Sequence, residues 1–326
     1  MCLSGRRIST FFMKTDLNLK SAFDGMNLSA VVVEPDQQKP EAVLQIAHGL
    51  CGCKERYMPF MEYMADHGVA CVACDHRGHG KSVRSKSDLG YMDGGYMALV
   101  EDMKNVTDWT VEHFHDVPIV LLGHSMGSMA ARIYAKKYDW ELSGLILCGS
   151  PGYNVMARPI MLLTGLICTF NNGRMRPAFL QELTSSRFNR KFASEGRMAW
   201  ICSDAAVRKD VIDNPLTNYY ITANMMHNVL AMMVQAYSRR GWTVKNPELP
   251  ITFLSGEDDP CMGGPSGLNK VASAVRDAGC RNVMIKSVTA AIMILLKIYL
   301  AIVFSLHEFK NNAARRPGPD GQGSGL

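Results

Sequence analysis

Short apolar runs and amphipathic stretches alternate along most of the chain. The apolar, β-branched runs are predicted to be strands, at residues 28–34, 42–47, 69–74, 118–122, 143–148, 250–255 and 282–288. Apolar residues at helical spacing predict helices between them, at residues 55–67, 96–114, 128–138 and 265–278. Strands that alternate with helices are typical of a parallel sheet flanked by helices. The pattern therefore predicts an α/β fold with a mostly parallel sheet.

The alternation stops between residues 151 and 247, where helical patterns occur and no convincing strand is found. Residues 156–170 are strongly apolar, and residues 222–237 form a Met-rich amphipathic pattern. We therefore predict a core formed by residues 1–150 and 248–288, interrupted by a helical cap at residues 151–247. Residues 289–326 are predicted to form an atypical apolar helix and then a polar, Gly/Pro-rich, disordered tail.

Composition and charge narrow the function classes. The 326 residues are 47% apolar, which is enough for a substantial core, and the formal net charge is +5. Lys and Arg are dispersed, and no basic stripe is interleaved with aromatic residues, so a nucleic acid partner is not expected. The ten cysteines are scattered, and the pair Cys71 and Cys74 falls inside a predicted buried strand. Unpaired thiols and no secretory leader predict a reducing, cytoplasmic location.

A Gly-x-Ser-x-Gly pattern stands at the junction of a predicted strand and a predicted helix, at residues 123–127 (GHSMG). In this context the pattern predicts a sharp turn that exposes a nucleophilic serine, Ser125, at the end of the sheet. Glycine is expected at both ends of the pattern because side chains there would collide with closely packed neighbours. The N–H of Met126, at the start of the helix, is predicted to donate to an oxyanion.

Two further strand ends carry residues that acyl-transfer chemistry needs. His48 and Leu50 follow the second predicted strand, and the Leu50 N–H is predicted to be the other oxyanion donor, with His48 as a structural residue. Asp259 follows a later strand and is predicted to orient a catalytic histidine, with the adjacent Asp258 as the alternative. Because open α/β sheets place their sites at the carboxyl ends of strands, we expect these groups to meet.

Four motifs in this order resemble the α/β-hydrolase group that contains lysophospholipases, monoacylglycerol lipases and S33-type serine aminopeptidases. They are residues 48–49 (HG), 75–82 (DHRGHGKS), 123–127 (GHSMG) and 256–260 (GEDDP), within a likeness that covers residues 17–288. The resemblance implies a capped α/β-hydrolase with Ser125 as nucleophile, Asp259 as triad acid, and Leu50 and Met126 as oxyanion donors. It also implies that the cap sets substrate choice. The sequence departs from the group at residues 52–53 (Gly-Cys), where relatives often carry Glu-His.

The triad histidine is missing from its expected place. The group places it a few residues after the last strand, but here residues 283–286 continue into small and apolar residues, and no histidine occurs before His307. Residues 290–306 contain a single charge, Lys297. Three interpretations stay open: His307 is the base, residues 290–306 form a membrane anchor, or the end of the chain is frameshifted. In the frameshift interpretation, the possible codons from Val288 onward allow a shifted reading frame to encode Tyr-x-Gly-x-His-Asp, close to the place where the group has its histidine.

Together these features predict a serine hydrolase of carboxylic esters that forms an acyl-enzyme on Ser125. The apolar, Met-rich cap favours a small-molecule acyl ester or lipid as substrate, and membrane-surface contact is expected through the cap or residues 290–306. No metal and no organic cofactor are implied. Two alternatives stay open: an S33-like aminopeptidase, which needs acidic groups such as Glu182 or Asp204 near the pocket, and a catalytically inactive fold that binds a ligand.

Overall fold

The computed structural model describes residues 12–195, 199–202, 204–257 and 259–288, so His307 and the predicted apolar helix and tail lie outside the described residues. Within them, eight strands form one sheet: β1 (Phe12–Lys20), β2 (Asn27–Pro35), β3 (Ala42–Ala47), β4 (Val69–Cys74), β5 (Ile119–His124), β6 (Gly144–Cys148), β7 (Ile251–Gly256) and β8 (Val283–Val288).

The order of the strands across the sheet is β1-β2-β4-β3-β5-β6-β7-β8. β2 is antiparallel to both β1 and β4, whereas the pairs from β4 across to β8 are all parallel. The predicted α/β fold with a mostly parallel sheet is confirmed. The apolar pattern does not predict β1, because this edge strand (FMKTDLNLK) is polar and largely exposed.

Helices cover both faces of the sheet. The described residues form α1 (Met58–Asp66), α2 (Gly95–His113), α3 (Met126–Tyr138), α4 (Ala157–Cys168), α5 (Ala178–Asn189), α6 (Ala205–Asp213), α7 (Ala223–Tyr237) and α8 (Gly264–Arg276). On one face, α2, α3, α7 and α8 share a hydrophobic core with strand residues such as Leu121 and Phe253. On the other face, Phe60 of α1 packs in a core with Leu44 and Leu122. Neighbouring residues such as Leu121 and Leu122 face opposite sides because the side chains of a strand alternate.

The described residues between β6 and β7, which we call the helical segment, form helices and turns and contain no strand. α4 packs against α7, where His227 Nδ1 donates to the Met161 carbonyl at 2.9 Å. Arg176 donates to the Leu89 carbonyl at 2.8 Å and so ties this helical segment to the loop before α2. The predicted limits of a separate cap, at residues 151 and 247, stay a prediction. In the described part of the chain, no helix has both the length and the apolar character to cross a membrane.

The sheet brings the predicted site residues to one edge. β3, β5, β6 and β7 are adjacent and parallel, so their carboxyl ends lie together. Ala47 pairs with Gly123, and Cys148 pairs with both His124 and Leu254. The loops that follow these strands therefore begin next to one another at the carboxyl-terminal edge of the sheet.

Candidate active site

Ser125 lies in a sharp turn between β5 and α3. Its backbone has φ 50° and ψ −114°, a conformation that residues with side chains rarely adopt and that costs about 1–3 kcal/mol. The Ser125 N–H donates to the Cys148 carbonyl at 2.9 Å, and the Ser125 carbonyl accepts from the Ser128 N–H at 2.9 Å and the Ser128 hydroxyl at 2.6 Å. These hydrogen bonds hold the turn, and Ser125 remains partly exposed at the sheet edge.

Two glycines make this turn sterically feasible. A Cβ atom added to Gly127 would lie 2.1 Å from the Ala47 carbonyl oxygen and 2.6 Å from that of His48. A Cβ atom added to Gly123 would lie 2.6 Å from the Gly127 carbonyl oxygen. The strand, the turn and the helix therefore approach one another so closely that neither position has room for a side chain.

The loop after β3, residues 48–52, packs directly against this serine, and we call it the oxyanion loop after the role that the sequence predicts for Leu50. A Cβ atom added to Gly49 would lie 3.2 Å from the Ser125 Cβ atom. Within the described residues, the N–H groups of Leu50 and Met126 find no hydrogen-bond acceptor. For Met126 this follows from its place at the start of α3, where helix N–H groups lack an intrahelical partner. Two donors therefore lie on loops that flank Ser125.

His48 fixes the oxyanion loop with both of its ring nitrogens. Its Nδ1 donates to the Gly49 carbonyl at 2.8 Å, and its Nε2 accepts from the His76 N–H at 2.9 Å. The rings of His76 and His79 lie 4.2 Å and 5.2 Å from the His48 ring. Burial lowers the pKa of His48 well below its usual value and lowers the pKa of His76 to about 3 and of His79 to about 4. The three imidazoles are therefore neutral and structural.

A second contact ties the segment that follows the oxyanion loop to the serine turn. The Tyr57 hydroxyl and His124 Nδ1 are 2.8 Å apart, and both side chains are buried. Burial raises the pKa of Tyr57 and lowers the pKa of His124 to about 3, so this hydrogen bond joins two neutral groups. The segment after the loop is thus linked to the residue immediately before Ser125.

The motif at residues 75–82 has a structural role. Asp75 is fully buried and accepts from the Lys54 N–H at 2.7 Å and the Lys54 ammonium at 3.0 Å. Arg77 is also fully buried and forms two hydrogen bonds with Asp102, at 2.7 Å and 2.9 Å. These pairs satisfy the buried charges and anchor the loop after β4 beneath the oxyanion loop.

Asp259 follows β7 and is 5% exposed. Its Oδ1 accepts from the Cys261 N–H at 2.8 Å, and its Oδ2 accepts from the Ser255 hydroxyl at 3.4 Å. Burial raises the pKa of this carboxyl, and no ion pair among the described residues includes it. A buried carboxylate with so few donors would be stabilised by a further hydrogen bond, such as one from an imidazole. The alternative Asp258 lies outside the described residues.

The predicted triad would need a group that bridges Ser125 and Asp259. They follow strands β5 and β7, which are separated by β6, so the turns start about 10 Å apart at the usual strand spacing. Eight of the nine histidines belong to the described residues, and none of these donates to or accepts from Ser125 or Asp259. The ninth, His307, lies outside them.

The two carboxylates that an aminopeptidase site would need are engaged elsewhere. Glu182 accepts a hydrogen bond from the Tyr220 hydroxyl at 2.6 Å. Asp204 caps α6, where it accepts from the N–H groups of Ala206 and Val207 at 2.8 Å and 3.2 Å. Both side chains therefore have structural hydrogen bonds within the helical segment.

Known proteins resemble this chain in sequence and in fold. A monoacylglycerol lipase of Mycolicibacterium smegmatis is 30% identical over 125 residues, 38% of this chain and 43% of that protein. A probable lysophospholipase L2 of Haemophilus influenzae is 25% identical over 262 residues, 76% of this chain and 78% of that protein. A solved thermostable carboxyl esterase from Bacillus coagulans has a TM-score of 0.80 at 25% identity, and the match covers 91% of this chain and 99% of that one.

The mycobacterial lipase thus shares less than half of its length with this chain, whereas the esterase is similar over its whole fold. Residues 38–288 match the family described as serine aminopeptidase, S33. These findings confirm the predicted resemblance and a lineage of carboxylic-ester hydrolases. The chain belongs to the S33 serine aminopeptidase family, within the α/β-hydrolases.

Proposed function

We propose that this chain hydrolyses carboxylic esters of lipids, such as monoacylglycerols or lysophospholipids, through an acyl-enzyme on Ser125. The observation that carries the proposal is the partly exposed Ser125 in a strained turn, flanked by the N–H groups of Leu50 and Met126, which have no acceptor in the described part of the chain. A strained turn of this kind persists only when its surroundings enforce it, and such strain is concentrated at functional sites.

The proposed reaction follows from the positions of these groups. Ser125 Oγ attacks the acyl carbonyl while the base takes the hydroxyl proton, and the N–H groups of Leu50 and Met126 donate to the oxyanion of the tetrahedral intermediate. The alcohol leaves with a proton from the base, and a water molecule then releases the acid by the same route. Asp259 is proposed to orient that base. His307 is the candidate, because none of the eight described histidines forms a hydrogen bond with Ser125 or Asp259.

An apolar surface on the helical segment supports a lipid substrate. Val155, Leu162 and Phe179 are 76%, 70% and 72% exposed, and Leu166 and Phe170 are more than half exposed. Exposed apolar groups concentrated in one segment mark an interaction surface. We propose that this segment contacts a lipid surface from which the acyl chain enters.

The nine described cysteines are all unpaired, which supports a reducing, cytoplasmic location.

The test is hydrolysis of p-nitrophenyl butyrate by the full chain and by Ser125→Ala. A matched control is Ser87→Ala, because Ser87 is exposed in the loop between β4 and α2. We expect Ser87→Ala to keep wild-type activity and Ser125→Ala to lose it by about a million-fold, as when a triad member is removed. Ester hydrolysis that survives in Ser125→Ala would contradict the proposal.

Two further measurements separate the alternatives. An aminoacyl p-nitroanilide that is cleaved faster than the ester would favour an aminopeptidase. His307→Ala is expected to reduce kcat by about a million-fold if this residue is the base. A folded wild-type chain that hydrolyses neither substrate would be a catalytically inactive fold.

A further inference from the structure

The oxyanion loop contains a backbone conformation that its sequence does not favour. The Gly52 N–H donates to the Gly49 carbonyl at 3.0 Å, so residues 49–52 form a tight turn with Leu50 and Cys51 at its centre. Cys51 has φ 53°, in the left-handed region. The third position of such turns is usually Gly or Asn, and other residues pay about 1–2 kcal/mol there. Contacts from outside the turn must therefore hold Cys51.

One such contact comes from the helical segment. The Cys51 Sγ atom lies 4.0 Å from the carbonyl oxygen of Tyr219. That same oxygen accepts from Gln181 Nε2 at 3.2 Å, and Gln181 Oε1 accepts from the Ile221 N–H at 2.9 Å. Gln181 thus fixes the backbone around Tyr219, and the carbonyl oxygen of Tyr219 contacts Cys51.

The Tyr219 ring inserts into the core beside the loop. A Cβ atom added to Gly90 would lie 2.9 Å from Tyr219 Cε2, and the ring centroid is 6.5 Å from that of His79. The Tyr219 hydroxyl is buried and has no hydrogen-bond partner among the described residues. A buried hydroxyl without a partner is unfavourable by about 1–3 kcal/mol. Burial raises the pKa of the Cys51 thiol and the pKa of the Tyr219 hydroxyl, and each group also contributes to the pKa of the other, so the Tyr219 side chain lies against Cys51.

We propose that Tyr219 is a positioning residue that holds Cys51 in its left-handed conformation and thereby aims the Leu50 N–H at the oxyanion. The residue touches no reacting atom and acts through the turn at residues 49–52. The oxyanion loop is then shaped by the helical segment as well as by the core. The catalytic consequence rests on the proposed function, whereas the effect on the loop does not.

Two pairs of variants of the full chain test this role. Tyr219→Ala removes the ring and Tyr219→Phe removes only the unpartnered hydroxyl. Cys51→Val introduces a β-branched side chain that disfavours a positive φ, and Cys51→Gly permits it. Tyr220→Ala is the matched control, because Tyr220 is the exposed neighbour of Tyr219. The readouts are hydrogen–deuterium exchange of a peptide that covers residues 48–57 and kcat and KM for p-nitrophenyl butyrate.

We expect Tyr219→Ala and Cys51→Val to exchange faster in this peptide and to reduce kcat by about tenfold to 100-fold with little change in KM. Tyr219→Phe, Cys51→Gly and Tyr220→Ala should resemble the wild type in both readouts. Unchanged exchange in both Tyr219→Ala and Cys51→Val would overturn the proposal, as would an equal effect of Tyr220→Ala. If the wild-type chain hydrolyses no ester, the proposed function fails, and the exchange data alone decide the role of Tyr219.

Discussion

At the scale of single residues, Gly127 has no room for a methyl group. A Cβ atom there would lie 2.1 Å and 2.6 Å from two backbone carbonyl oxygens. Neither carbonyl can rotate away, because β3 and the oxyanion loop hold them. We predict that Gly127→Ala lowers the free energy of unfolding by about 3 kcal/mol or more, measured by urea denaturation.

Gly25→Ala is the control for this prediction. Gly25 also has a conformation unusual for alanine, with φ 70°, but a Cβ atom there meets nothing within 4 Å. It should therefore show only the backbone penalty of about 1–2 kcal/mol. Equal losses in the two variants would mean that the close approach around Gly127 is not what the turn requires.

Arg132 is a buried cation that forms no ion pair with any described residue. It lies on α3 with 0% exposure, and its two terminal nitrogens have no hydrogen-bond partner among the described residues. Its guanidinium stacks on the Tyr237 ring at 4.9 Å, and burial lowers its pKa. Since an unpaired buried charge is unfavourable, Arg132→Met should raise the free energy of unfolding by about 1–2 kcal/mol.

Arg77→Met should have the opposite effect and lower the free energy of unfolding. Arg77 is equally buried, but it forms two hydrogen bonds with Asp102, so its removal leaves a buried carboxylate unpaired. We expect a loss of about 3–5 kcal/mol in urea denaturation. A destabilising Arg132→Met variant would indicate that the stack on Tyr237 outweighs the missing hydrogen bonds.

At the scale of elements, the loops and strand ends around the site hold four buried, neutral histidines. They are His48, His76, His79 and His124, and burial lowers the pKa of each; for His76, His79 and His124 the pKa is about 3, about 4 and about 3. The unfolded chain protonates them near pH 6.5, so between about pH 4 and 6.5 it binds more protons than the folded chain. Stability therefore falls with decreasing pH in this window, by about 1.4 kcal/mol per pH unit for each histidine.

Urea denaturation at pH 5, 6 and 7 measures this dependence. The raised pKa values of the buried carboxyls Asp75, Asp102 and Asp259 act in the opposite direction, so the net dependence is smaller than the sum over the four histidines. His79→Gln should reduce the slope of the free energy of unfolding against pH by about 1.4 kcal/mol per pH unit, the contribution of one proton. An equal slope in the wild type and in His79→Gln would mean that His79 is accessible to protons in the folded chain.

The sequence predicts the elements that bury continuous apolar runs. The strands that became β3 and β4 are predicted with the bounds that the structure has, because Val, Ile, Leu, Ala and Cys fill both faces. β1 is missed because its exposed polar residues carry no such run. The left-handed conformation of Cys51 is missed for another reason: it depends on Tyr219, which lies 168 positions away. Local sequence holds no signal for such a contact.

At the scale of the whole molecule, the order of motifs is sufficient to predict the fold and the sheet edge at which the candidate site residues lie. Ser125, Leu50 and Asp259 follow parallel strands, and parallel strands share an edge. The base is different, because no described histidine reaches Ser125 and His307 lies outside the described residues. Its role, and the membrane-anchor and frameshift interpretations of residues 289–326, stay predictions. Sequencing of the coding DNA would test the frameshift.

The apolar surface of the helical segment predicts binding to lipid. Leu162 and Phe179 are 70% and 72% exposed, and each apolar side chain that enters a lipid surface contributes about 1.5–3 kcal/mol when fully buried. The double variant Leu162→Gln, Phe179→Gln should therefore bind phosphatidylcholine vesicles at least about tenfold more weakly in cosedimentation. Val111→Gln, at a 53% exposed residue of α2, is the control. Equal binding by all three proteins would rule out this surface.

The most direct test of the site is labelling with a fluorophosphonate, followed by peptide mapping of the adduct by mass spectrometry. A serine in a strained turn, with two amide donors and a base within reach, should be the only residue that forms the adduct. We predict modification of Ser125 in the wild-type chain and none in Ser125→Ala, while Ser87→Ala labels at the wild-type rate. An adduct on another residue, or a folded wild-type chain that forms no adduct at all, would contradict the assignment of Ser125 as the nucleophile.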